Sequence, residues 1–204
     1  MKINKPKIKY TEYKRIKDCY NEEDFINITI NNEDNIILKN ITIDSSIINK
    51  SNFEYLDNVN LIDVIFNDCD LSNLNFDNCY LTRCIFNNCK LSGTSFINTN
   101  LCNIEFNSCM LKYLNFTESI FDCVIIYKSD LSESVFDNCN MKKFFIDQNK
   151  LYKTEFINTK LIDVDFTTCD TYGVIFDMKS VKGIIVNSLE CRDIALMLDI
   201  KIRD

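Results

Sequence analysis

The sequence predicts an all-β fold, a four-sided parallel β-helix in which the chain coils around a core that its own side chains fill. Three observations predict it. A large apolar residue recurs at every fifth position from Leu61 to Phe176 without a slip, with the polar Thr171 as the exception. Residues twenty apart form matched columns, the clearest being Phe76, Phe96, Phe116, Phe136, Phe156 and Phe176. The 204 residues include only three glycines and one proline, too few for the hairpin turns of an ordinary antiparallel protein.

A period of five is neither the 3.6 of a helix nor the 2 of a strand. Two residues before most of the apolar centres stands a compact residue, as at Val64, Cys69, Cys79, Cys84, Cys89, Thr94 and Thr99. Residues two apart on an extended backbone point the same way, so both positions face inward. The remaining residues are rich in Asn, Asp, Ser and Thr, which bond to nearby backbone and turn the chain without glycine or proline. Four such sides close a square, and the next coil stacks on it at about 4.8 Å. Each buried ring or aliphatic contributes about 1.5 to 3 kcal/mol, which is enough to build a core without helices.

In chain order, residues 1–32 are basic and do not repeat. They are expected either to cap one end or to lie along an outward column formed by Ile65, Ile85, Ile125, Phe145 and Ile185. That apolar column is otherwise a partner site. Residues 33–186 form the β-helix. Its first part runs in another phase, with Leu38, Ile43, Ile48 and Phe53 as centres, and the phase change predicts an extra loop near Glu54 to Asn58. Residues 187–204 predict a helix and a short strand that cap the open end. Asn187 stands three residues before Glu190, the spacing of a capping box. Cys191, Ile194, Ala195 and Leu198 form one apolar stripe of this helix, suited to covering the last coil. Leu189 and Leu196 form a second stripe on the far side, which predicts a partner surface.

The net charge of −7 argues against direct binding of nucleic acid. No apolar run is long enough to span a membrane and the start lacks the apolar core of a signal peptide, so a cytoplasmic protein with no membrane partner is expected. Eleven cysteines, odd in number and mostly in the five-residue rhythm, fit a reduced compartment and core packing. Zinc binding by Cys79, Cys84 and Cys89 is the alternative, but these fall on successive sides of the coil. With no histidine and no phosphate loop or dinucleotide fingerprint, no catalytic residue, cofactor or metal site is expected, and the chain reads as a non-enzyme.

The run of compact, polar, Leu or Phe, polar, polar residues resembles the pentapeptide-repeat family over about 59–186. The resemblance implies a right-handed quadrilateral β-helix. The tail "IIVNSLECRDIALMLDIKIRD" resembles the end of Qnr-type quinolone-resistance proteins, with Asp199 where that family often has glycine. This implies a homodimer through the C-terminal helix, with Leu189, Ile194, Leu196, Met197 and Leu198 at the interface. It also implies a DNA-mimicking rod that binds type II topoisomerases, DNA gyrase or topoisomerase IV, and protects them from quinolones. The acids that such mimicry would use are Asp130 and Asp170, which share an outward column, with Asp163, Asp165 and Asp177 nearby. The alternative is a rod-like interaction module for another protein partner, with no role at gyrase.

Overall fold

The computed structural model describes residues 3–16 and 24–203. Parallel strands stack along one axis for about eight turns and end in a single helix. The strands are β1 (Glu12–Tyr13), β2 (Phe25–Ile26), β3 (Ile28–Asn31), β4 (Ile36–Asn49), β5 (Phe53–Asn67), β6 (Tyr80–Asn87), β7 (Asn100–Asn107) and β8 (Ile120–Tyr127). Then come β9 (Val135–Asp137), β10 (Asn140–Met141), β11 (Phe144–Asp147), β12 (Glu155–Ile157) and β13 (Ile175–Phe176), followed by α1 (Ser188–Met197). One sheet runs β1-β3-β4-β5-β6-β7-β8-β10, with β11 also on β8 and β2 on β4, and a second runs β13-β12-β9.

The register follows the predicted columns. Phe66 pairs with Phe86, Leu81 with Leu101, and Phe136 with Phe156. The long ladder is continuous: rings 76, 96, 116, 136 and 156 stack at 4.8 to 5.1 Å, and Phe156 meets Phe176 at 5.6 Å. The compact inward position does more than fill space. Thr99 Oγ1 donates to the Phe76 carbonyl at 2.6 Å, Thr94 Oγ1 to Leu71 and Thr159 Oγ1 to Phe136, each reaching an apolar centre of the preceding coil. Buried thiols do the same more weakly, as Cys84 Sγ does to the Leu61 carbonyl at 3.6 Å. Burial pushes the Cys84 thiol up to about 12, so it stays protonated and can donate. Compact donors therefore satisfy carbonyls that point into the core.

Two residues after most centres the chain adopts a left-handed conformation, with φ of 54° at Asp68, 57° at Asn73, 60° at Asn78 and 53° at Asn98. Asn and Asp tolerate this region, which explains why they crowd the corners. Other residues are forced into it, including Glu118 at φ 61°. Glu118→Gly is expected to stabilise the protein by about 1 kcal/mol, read as a rise in melting temperature, because glycine removes the Cβ clash.

Two expectations are corrected at the amino end. The β-helix begins before residue 33, since β2 and β3 already pair with β4, Phe25 with Ile43 and Ile30 with Ile48. There is also no loop near Glu54 to Asn58, which lie inside β5. Coils at this end advance 18 residues, Ile48 to Phe66, where later ones advance 20, Phe66 to Phe86. The two missing residues come from one side: buried Phe53 and Leu56 span in three positions what Leu71 and Phe76 span in five. A shortened side keeps the inward alternation, so the phase changes without any excursion.

At the other end α1 closes the stack. Asn187 accepts from Leu189 N and Glu190 N, and Glu190 returns a bond to Asn187 N, completing the capping box. Glu190 also accepts from Thr171 Oγ1 at 3.1 Å. The one polar centre in the repeat is thus the anchor for the cap. Ile194 and Met197 pack on the core, and Phe176 N donates to Met197 Sδ at 3.5 Å. The inward row is Glu190, Ile194 and Met197; Cys191 is exposed, contrary to the stripe expected for it. Asp199 takes φ 59°, the conformation glycine would supply, and Ile200 N donates to Ala195 O. No strand follows α1 among the described residues.

Candidate interaction surfaces

The first surface is already occupied. Residues 3–11 run as a strap across the coils, and β1 then joins the sheet in parallel beside β3. Asn4 N donates to Asn103 Oδ1 at 3.0 Å, Lys5 pairs with Glu105, and Lys7 N donates to Asp63 Oδ1 at 2.9 Å. Farther on, Glu12 N reaches Asn27 O and Lys14 N reaches Thr29 O. The anchor at its centre is Asp63, which Arg83 grips with two bonds of 2.6 Å. Burial alone would raise the Asp63 carboxyl, but the Arg83 guanidinium and the Lys7 N–H outweigh it and hold the group below its ordinary value. Within the strap's span Ile65 and Ile85 are half-buried and Glu105 stands between them and Ile125 in the column. Past its end, Phe145 and Ile185 are 43% and 44% exposed.

The second surface is the carboxyl end. Of the five residues expected at an interface, Leu189 and Leu196 face outward, 78% and 55% exposed. Ile194 and Met197 face the solenoid, and Leu198 is half-buried. Ile200 and Ile202 in the tail add to the exposed apolar area.

The five candidate acids do not share a face. Asp130 and Asp170 stand in one column, but it reads Asn52, Asp70, Lys90, Met110, Asp130, Lys150, Asp170. Asp165 belongs to the next side, paired with Ile185, with Asp163 at the corner beside it; Asp177 follows Phe176 on a third side. Each has local work at a corner. Asp130 accepts from Ser132 N and Oγ, Asp165 from Thr167 N and Oγ1, Asp170 from Tyr172 N and Asp177 from Ser180 N, while Asp163 sits at φ 63°. Cations also interleave with the acids: Lys112 lies 3.4 Å from Asp130, Lys90 3.8 Å from Asp70 and Lys142 3.9 Å from Asp122. For Asp130, burial would raise the carboxyl, yet Ser132 and Lys112 together hold it lowered.

Two grooves escaped sequence reasoning, because each draws residues from successive coils. One is lined by Tyr113, Tyr152 and Tyr172 with Glu133, Glu155 and Lys153, the Tyr152 and Tyr172 rings stacking at 5.9 Å. The other lies beside Ile162 and Met178 near the last coil.

Residues 59–134 match the sequence profile of the family described as the pentapeptide repeat region. That stretch is a pentapeptide-repeat region within a parallel β-solenoid. No curated protein is similar enough to count as a match. Among solved structures, the solenoid is similar to trypsin-treated QnrB1, a plasmid-mediated fluoroquinolone resistance protein. The identity is 19%, over 88% of this chain and 99% of that one, with a TM-score of 0.45. It is also similar to HetL, a pentapeptide repeat protein involved in heterocyst differentiation regulation from the cyanobacterium Nostoc. There the identity is 17%, over 81% of this chain and 90% of that one, with a TM-score of 0.44. Likeness at this level says nothing about what the solenoid binds. No described helix is long and apolar enough to cross a membrane.

Proposed function

We propose that the protein is a rigid, non-catalytic binding rod that pairs end to end with a second copy through α1. The observation that carries this reading is the far side of the capping helix, where Leu189 and Leu196 stand exposed although Ile194 and Met197 already close the core. A cap needs only its inner row, so the outer row is free to meet an identical row across a two-fold axis. A chain without histidine, in which burial pushes the Cys84 and Cys139 thiols up to about 12, supports a role in binding rather than catalysis. Leu196→Asp is expected to give monomers by light scattering without lowering the melting temperature of the rod. A dimer that survives the substitution would end the pairing model.

The second reading is protection of a type II topoisomerase by DNA mimicry, and the net charge of −7 favours it. Eight turns give a rod of roughly 40 Å. Duplex DNA of that length carries about one charge per 1.7 Å, whereas here acids alternate with lysines and spread over three sides. A partner chosen by local surface chemistry therefore fits better than one chosen by a phosphate-like field. The deciding assay is DNA gyrase supercoiling with a quinolone over a protein concentration series. Rescue would establish protection, and absence of rescue leaves the binding rod with a different partner.

A further inference from the structure

Lys160, Lys179 and Lys182 line a groove of about 380 Å³ near the carboxyl end, and Ile162 and Met178 are its apolar walls. Those two side chains are each 63% exposed. Elsewhere on the rod lysines stand against aspartates, as at Lys90 and Asp70 or Lys142 and Asp122. Among the described residues these three have no carboxylate within ion-pair distance, and Lys179 donates instead to the Asn158 carbonyl. Asp163, the neighbour of Ile162 in sequence, turns a corner and does not line the groove. A chain with 30 acids and 23 bases has acids to spare, yet leaves three ammonium groups together around apolar walls.

We infer that this groove docks an acidic segment of a partner protein that carries large aliphatic residues. Partner carboxylates would meet the lysines, and an aliphatic side chain would lie between Ile162 and Met178, where the flexible thioether adapts to its shape. A concave site admits one chain where a lipid surface would stay outside, and the net charge of −7 repels an anionic bilayer. Nucleic acid lacks what it needs, since the groove offers no aromatic ring for stacking and no arginine fork. The inference deepens the binding-rod reading by giving the partner's chemistry. It stands apart from end-to-end pairing, which light scattering reads separately.

The test is fluorescence anisotropy of the full-length protein with a short labelled peptide of Glu, Asp and Leu. Comparators are the same peptide with serine for leucine, phosphatidylserine vesicles and a single-stranded oligonucleotide. The acidic leucine peptide is expected to bind, to weaken as salt rises, and to lose about tenfold or more in affinity, near 1.4 kcal/mol, with Lys160→Glu and Lys182→Glu together. Ile162→Ser with Met178→Ser is expected to weaken it as well. All four positions are solvent-facing, and an unchanged melting temperature confirms that the variants fold. Failure of the peptide to bind, equal binding of the serine peptide, indifference to both pairs of substitutions, or tighter binding of vesicles or oligonucleotide would each overturn the inference.

Discussion

Phe116→Asp is expected to abolish folding: the variant should be insoluble or lack the strand signal in circular dichroism. Its ring is fully buried, stacked at 5.0 Å on Phe96 and 4.9 Å on Phe136, and set edge-on to Phe121 at 5.2 Å. Removing it forfeits about 3 to 5 kcal/mol of packing. Placing a carboxylate there adds the several kcal/mol of an uncompensated buried charge. The sum approaches or exceeds the 5 to 15 kcal/mol that typically separates folded from unfolded domains. Position matters as much as size, because a break in mid-ladder disconnects the coils on either side. A soluble variant with unchanged melting would show that the inward register is wrong.

Arg83→Ala is expected to destabilise the protein by about 3 kcal/mol, the usual result of leaving one member of a buried ion pair alone. Asp63 has only 8% of its side chain exposed and would keep the Lys7 N–H as its sole described donor. Detachment of the strap should accompany the loss, read as faster hydrogen exchange at Lys7. Asp63→Asn with Arg83→Ala should recover much of the stability, because a neutral amide removes the stranded charge. The pH dependence has a definite sign. The folded carboxyl is held below its unfolded value, so its contribution is fully present above about pH 4 and fades as pH falls through the folded value. Arg83→Ala should flatten that acid limb.

The period of five was legible because a left-handed corner and an inward pair must recur at fixed spacing, and any slip would turn every side chain the wrong way. The capping box was legible for a similar reason, being two side chains at one spacing. Thr171 was visible as an exception, and its reason became visible only with Glu190 beside it. The 18-residue coils were misread as a loop, since a side shortened between Phe53 and Leu56 changes phase as an insertion would. The strap left little pattern because it is held largely by backbone N–H groups, and these donate whatever the residue. The acidic face failed because a count of acids near one end ignores which side each occupies, and Asp-x-Ser or Asp-x-Thr was already the signature of a corner. The lysine groove was hidden by a local irregularity: Thr159 bonds Ser180, 21 residues on, so Met178 and Lys179 fall outside the twenty-residue columns.

A stack of coils that touch only their neighbours behaves as a one-dimensional array and frays from its ends one unit at a time. The strap changes that. Together with β1, its contacts run from Asn27 to Asn103, so coils that share no face are held by a single length of chain. The amino-terminal coils cannot peel away singly while Asn4, Lys5 and Lys7 remain bound. Opening at that end becomes one concerted event, with a denaturant dependence set by several coils together, while the carboxyl end, closed by one short helix, remains free to open locally.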